Sequence, residues 1–76
     1  DEVYEDYVYR GAHVATRSFD QDRVLSTYSC SKAFGMAGNR CGYVVGASDV
    51  IGQLSKISTH TFYSTPTAAQ IAATAA

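Results

Sequence analysis

The sequence has few of the features that mark nucleic-acid-binding, metal-binding and membrane proteins. It has no tryptophan, one proline, two cysteines and a formal net charge of only −1. This nearly neutral charge argues against a nucleic-acid partner, because no basic patch is available to neutralise phosphates. Cys30 and Cys41 form neither a C-x-x-C pair nor a metal-ligand cluster, and no apolar run approaches the ~20 residues of a membrane span. We therefore expect no metal, no nucleic acid, no membrane and two free thiols in a cytoplasmic protein.

The length and composition are those of one small globular unit. Of the 76 residues, 46% are hydrophobic and 17% are charged. A chain of this size buries only about 60% of its unfolded surface, so its core would be marginal. The sequence opens on Asp1 and stops at Ala76 within a helix-like pattern, and we expect it to be a piece of a longer chain.

Two short apolar segments predict neighbouring β-strands. Residues 23–28 and 41–46 are rich in β-branched and aromatic residues, whereas residues 12–22 have the composition of a loop. A parallel crossover needs a dozen or more residues, so the short connection between the two segments predicts antiparallel pairing.

Two helices are expected after these strands. Ser48 is a candidate N-cap for a helix running to about residue 58, because the apolar residues there recur on one helical face. Residues 58–64 have the composition of a connection. Thr65 followed by Pro66 then predicts a second N-terminus, with threonine as N-cap and proline at the first helical position.

The connection between the strands carries the most informative pattern. Lys32 follows two hydroxyl residues, Ser29 and Ser31, glycines come after it, and Arg40 stands eight residues later. Hydroxyls, exposed backbone N–H groups and a guanidinium suit a phosphate, and a neutral lysine amine is a nucleophile toward carbonyl carbons. A phosphate site around a reactive amine indicates a cofactor that carries both a phosphate and an aldehyde, which is pyridoxal 5′-phosphate.

Three motifs in order resemble the class I/II aminotransferases, which are fold-type-I pyridoxal-phosphate enzymes. They are D-x-x-Y at residues 1–4, S-x-S-K at residues 29–32, and M-A-G-x-R-x-G-Y at residues 36–43. The resemblance covers nearly all of the chain. It implies an α/β fold in which residues 1–76 form the central part of the large domain, with a mostly parallel sheet, one antiparallel strand and helices packed on it.

The same resemblance implies a role for each matching residue. Lys32 would form an aldimine with the cofactor and then move a proton during transfer between an α-amino acid and a 2-oxo acid. Asp1 would keep the pyridine nitrogen protonated, and Tyr4 would donate to the phenolic oxygen. Ser29 and Arg40 would bind the phosphate, and Ser31 would contact the phosphate or the backbone. The resemblance also implies a homodimer, and we expect residues 1–76 alone to be inactive because other family site residues lie outside them.

Several alternatives remain open at this stage. The same lysine, aspartate and tyrosine serve C–S lyases and cyclopropane-forming synthases. Residues 29–32 also match the S-x-x-K of serine acyl enzymes, although the S-D-N and K-T-G elements of that family are missing and Gly35 disfavours the required helix. A non-catalytic α/β fragment is the third possibility. Asn39 stands where many class I/II members have tryptophan or another large residue.

Overall fold

The computed structural model describes residues 1–76, which form two strands, two helices and two short 3-10 turns. The strands are β1 (Ser26–Ser29) and β2 (Gly42–Val45), and the helices are α1 (Ser48–Thr61) and α2 (Thr67–Ala75). The 3-10 turns cover Thr16–Ser18 and Ala37–Asn39. The second of these turns lies in the connection that carries Lys32 and Arg40.

The two strands form an antiparallel pair, as the short connection predicts. Ser26 lies opposite Val45 and Ser29 lies opposite Gly42. Within the pair, Tyr28 and Tyr43 stack with ring centroids 4.8 Å apart and an interplanar angle of 11°. Such cross-strand aromatic pairs stabilise a sheet and fix its register. The larger, mostly parallel sheet remains a prediction.

Strand β1 begins three residues later than predicted, because residues 20–24 form a turn. The Asp20 carboxylate accepts hydrogen bonds from the backbone N–H groups of Asp22 and Arg23, and from Arg23 Nε at 2.8 Å. The Asp20 carbonyl accepts another from the N–H of Val24. The guanidinium of Arg23 holds the pKa of the Asp20 carboxyl below its usual range. Residues 23–25 are thereby outside the strand ladder.

The helix boundaries differ from the predicted ones. Ala47, not Ser48, is the N-cap of α1, and it makes no side-chain cap. The helix also continues through the predicted connection to Thr61, where the hydroxyl bonds the carbonyls of Ile57 and Ser58. In α2 the N-cap is Pro66 rather than Thr65, since the Pro66 carbonyl already accepts the first intrahelical bond, from Gln70 N–H at 3.1 Å.

The N-terminal residues are joined to the sheet and to the following loop. The Glu2 N–H donates to the Thr27 carbonyl at 2.8 Å, which brings residues 1–2 beside β1. The buried Glu2 carboxylate contacts His13 Nε2 at 2.9 Å and accepts the Thr16 N–H at 3.3 Å. The contact of His13 with Glu2 therefore contributes to closing the loop over residues 2–16.

The chain buries little of its apolar surface. Its radius of gyration is 13.8 Å, whereas a compact 76-residue domain would have a radius of about 11 Å. Only four residues are buried, and the helices contact the sheet sparsely. On the apolar face of α1, Leu54 is 38% exposed and Ile57 is 60% exposed. Neither helix combines the length and the hydrophobicity of a membrane-spanning helix.

Candidate active site

A small pocket lies where the ends of β1 and β2 meet the connection between them. Its volume is about 180 Å³. Its lining residues come from both strand ends and from the connection: Ser29, Ser31, Arg40, Cys41 and Gly42. The pocket thus contains the three residues that the sequence indicated as phosphate ligands, although they are spread over twelve positions.

The two serines are fixed relative to each other. The Ser29 hydroxyl donates to the Ser31 hydroxyl at 2.9 Å and accepts the Ser31 backbone N–H at 3.1 Å. Both residues are half-buried. Since the Ser29 proton is used within the pair, the Ser31 hydroxyl retains its own proton for an acceptor in the pocket.

Gly42 allows the two strands to approach closely at the pocket. A Cβ atom at this position would lie 2.5 Å from the Tyr28 carbonyl oxygen and 3.5 Å from the Ser29 Cα. The first distance is far below van der Waals contact, and a backbone carbonyl in a ladder cannot move aside easily. A side chain at residue 42 would therefore separate Ser29 from its partner strand.

Arg40 enters the pocket from an unusual backbone conformation. Its φ of 54° lies in the left-handed region, which costs a non-glycine residue of order 1–3 kcal/mol. The guanidinium donates from Nη1 to the Ala37 carbonyl at 2.8 Å. An arginine has five N–H donors in a planar fork, so this bond orients the group and leaves donors for an anion.

Lys32 lies in the turn next to the pocket rather than in its lining. The Gly35 N–H donates to the Lys32 carbonyl at 3.1 Å, and the Met36 N–H donates to the Cys30 carbonyl at 3.2 Å. Gly35 has a φ of 63°, which favours glycine at this place in the turn. The Lys32 side chain is exposed and makes no ion pair or side-chain hydrogen bond.

Asp1 and Tyr4 do not contact the pocket. Asp1 accepts the Val3 N–H at 3.2 Å, and Tyr4 is 61% exposed and packs edge to face against Tyr7 at 6.0 Å. The bond between Glu2 and Thr27 nevertheless holds this segment beside β1. Thr27 is two residues, or about 7 Å of extended strand, from Ser29.

Sequence reasoning missed one of the residues that line the pocket, Cys41, whereas Gly42 belongs to the third motif. The signal that could have found Cys41 is the strand register. If residues 29 and 42 are paired, the next pair outward is Cys30 and Cys41, at the base of the connection. The backbone N–H of Cys30 does donate to the Cys41 carbonyl, at 3.2 Å.

The amino-acid sequence that carries this pocket and lysine matches a known protein family. The profile of the family "Aminotransferase class I and II" matches residues 1–76, the whole chain. The chain belongs to the class I and II aminotransferase family. This confirms the resemblance carried by the three motifs, and it gives the pocket and Lys32 a chemical context, since aminotransferases of this family generally depend on pyridoxal phosphate.

Curated relatives of this aminotransferase-family chain are named for several substrates. It is 34% identical over 70 residues to a probable aspartate/prephenate aminotransferase of Thermus aquaticus, a match covering 92% of the chain and 18% of the relative. It is 36% identical over 77 residues to an asparagine–oxo-acid transaminase of Streptococcus mutans, covering 96% and 20%. It is 33% identical over 75 residues to the (5-formylfuran-3-yl)methyl phosphate transaminase of Methanocaldococcus jannaschii, also covering 96% and 20%. The chain thus spans about a fifth of these relatives' length, and no solved structure matches it.

Proposed function

We propose that these residues form part of the active site of a pyridoxal-phosphate-dependent aminotransferase that moves an amino group between an α-amino acid and a 2-oxo acid. The observation that carries the proposal is that Ser29, Ser31 and Arg40 line one pocket and that Lys32, whose side chain is exposed, directly follows Ser31 in the chain. The relatives' names support transamination as the reaction class. They differ in their substrates, so the proposal leaves the amino acid general.

The donor set of the pocket fits a phosphate group. A phosphate dianion needs several converging hydrogen-bond donors, and the pocket offers the Ser31 hydroxyl and the guanidinium of Arg40. Gly42 lets β1 and β2 approach closely beside Ser29, because a Cβ atom there would lie 2.5 Å from the Tyr28 carbonyl oxygen. Arg40 suits the phosphate better than a lysine would, because its planar fork matches two phosphate oxygens at once.

Lys32 is proposed as the catalytic residue. When bound, pyridoxal phosphate supplies an aldehyde for the lysine amine and a ring that accepts an electron pair. The Lys32 amine would bind the cofactor in the resting state, and when displaced by substrate it would carry the proton from the substrate Cα. Its exposed side chain, one residue after Ser31 of the pocket, supports both roles.

Asp1 and Tyr4 are proposed to act on the ring of the cofactor. The Asp1 carboxylate would favour a protonated pyridine nitrogen, and the Tyr4 hydroxyl would donate to the phenolic oxygen. Their proximity to β1 through Glu2 supports this assignment. We further propose that the whole protein is a cytoplasmic homodimer with a larger α/β fold, and that residues 1–76 alone are inactive because they bury too little to hold the site.

A direct assay tests the proposed reaction. The protein expressed from the complete coding sequence would be loaded with pyridoxal phosphate and given a panel of α-amino acids, with and without a 2-oxo acid acceptor. We expect a new amino acid to form only when the acceptor is present. A C–S lyase would instead release a 2-oxo acid and ammonia without an acceptor, and a synthase would form a cyclic product. Either result would overturn the assignment as an aminotransferase.

Replacing Arg40 by lysine tests the phosphate pocket. Lysine keeps the positive charge but cannot make a bidentate contact with two phosphate oxygens. We therefore expect the dissociation constant of pyridoxal phosphate to rise about 10-fold or more. Titration followed by absorbance measures it. Pyridoxal, which lacks the phosphate, should bind the native protein and the Arg40→Lys variant equally. Arg23→Lys is the matched control, since Arg23 lies on the surface and pairs with Asp20. If the Arg40→Lys variant bound pyridoxal phosphate as tightly as the native protein does, the assignment of this pocket would be contradicted.

A further inference from the structure

We infer that Cys30 and Cys41 form a two-thiol oxidation site that takes a hydroperoxide and closes into a disulfide across the base of the lysine loop, defined as residues 31–40. The two residues continue the β1–β2 register by one pair, and the Cys30 N–H donates to the Cys41 carbonyl at 3.2 Å. Directly opposed residues of an antiparallel pair have Cα atoms about 4.5–5.5 Å apart. Disulfides form within about 4.4–6.8 Å.

The surroundings assign different tasks to the two thiols. Cys30 is 7% exposed, whereas Cys41 is half-exposed and lines the phosphate pocket. Burial raises the pKa of the Cys30 thiol, and the neighbouring Cys41 side chain raises it further. Cys30 therefore stays protonated at neutral pH and does not react first. Cys41 is the residue that an oxidant meets.

A route for the oxidant is present. A cavity of about 480 Å³ has both cysteines in its lining, together with Gln70, Ala73 and Thr74 of α2. Hydrogen peroxide is little larger than water and needs no dedicated subsite in such a space. Both cysteines line this same cavity. A thiol buried in a closed core would have no such access to the oxidant.

The reaction balances with one peroxide per site. The Cys41 thiolate attacks one peroxide oxygen, the O–O bond breaks, and the released hydroxide takes up a proton to leave as water. The Cys30 sulfur then attacks the oxidised sulfur of Cys41. The S–S bond forms as the S–O bond breaks, and the hydroxide leaves as water with the Cys30 proton. The two sulfurs lose two electrons in total, and the peroxide gains them.

Peroxide titration of the complete protein tests the site independently of the aminotransferase proposal. Reduced protein would be treated with hydrogen peroxide, alkylated and digested without reductant. We expect a cross-linked peptide pair joining Cys30 to Cys41, a loss of about 2 Da relative to the two free thiols, and full reversal by dithiothreitol. Sulfinic acid on either cysteine without a cross-link would overturn the inference, as would a disulfide from either residue to a thiol elsewhere.

Single variants separate the two roles. In Cys30→Ser, Cys41 should stop at the sulfenic acid and be labelled by dimedone. In Cys41→Ser, Cys30 should react with peroxide at least about tenfold more slowly than Cys41 does in Cys30→Ser, because Cys30 is buried and protonated. Circular dichroism and thermal unfolding check that both variants fold. If either variant does not fold, the presence or absence of the Cys30–Cys41 cross-link in the native protein still decides the inference. Faster reaction at Cys30 than at Cys41 would contradict the assigned order.

Discussion

Replacing Lys32 by arginine is expected to remove transamination almost completely. The guanidinium keeps the positive charge and most of the length of the side chain, but it cannot lose a proton in a protein. It therefore can neither attack the cofactor aldehyde nor take the proton from the substrate Cα. Because a positioned general base alone contributes about 10²–10⁴-fold to a rate, kcat should fall by at least that factor. Steady-state kinetics of the complete protein, saturated with pyridoxal phosphate, measures the loss.

The matched control for this substitution is Lys56→Arg. Lys56 is exposed on α1 and lies outside the pocket, so this variant makes the same chemical change without the same role. Its kcat should stay within about twofold of the native value, since surface substitutions away from special features have small effects. If the Lys32→Arg variant kept more than a tenth of the native kcat while folding normally, the catalytic role of Lys32 would be wrong.

Replacing Gly42 by alanine should both destabilise the protein and weaken cofactor binding. The added Cβ would lie 2.5 Å from the Tyr28 carbonyl oxygen, so β1 and β2 must separate next to Ser29. Forcing one extra carbon into a packed site costs about 1–3 kcal/mol of the free energy of unfolding. The same movement displaces the Ser29–Ser31 pair from Arg40. Denaturant unfolding and cofactor titration measure the two effects.

Gly38→Ala is the control for Gly42→Ala. Gly38 lies in the same connection, but its added Cβ would meet no atom within 4 Å and its backbone is not in the positive-φ region. We expect a change within about 0.5 kcal/mol in stability and no change in cofactor affinity. Equal behaviour of the Gly38→Ala and Gly42→Ala variants would mean that the close approach at residue 42 does not shape the pocket.

The sequence predicts the strand pairing well because the reason for it is local. The connection between the two β-rich segments carries Gly35 and Gly38, which disfavour the crossover helix that a parallel pair usually needs, so an antiparallel pair is favoured. The boundaries were less predictable because they depend on individual side-chain bonds. The Asp20 carboxylate holds residues 22 and 23 in a turn, and the Thr61 hydroxyl bonds within the last turn of α1. Composition alone does not reveal either bond.

The candidate site was predicted in the same way: local motifs were identified from the sequence, whereas contacts between distant residues were not. Motif spacing identified Ser29, Ser31 and Arg40, and the structure brings these three together in one pocket. It did not identify Cys41 or the pairing of Glu2 with His13, because both follow from contacts across the fold. The motifs also group Asp1 and Tyr4 with Lys32, and these residues make no contact with the pocket in the 76-residue chain. Their assignment remains a prediction.

The most direct test of the account is borohydride trapping of the complete protein loaded with pyridoxal phosphate, followed by peptide mapping. Borohydride makes a bond between a lysine amine and the cofactor aldehyde permanent, so the modified lysine can be read from the peptide masses. The account predicts that the absorbance of the bound cofactor changes on reduction and that the pyridoxyl mass is found on Lys32. Modification of a different lysine, or no modification in protein supplied with excess cofactor, would contradict it.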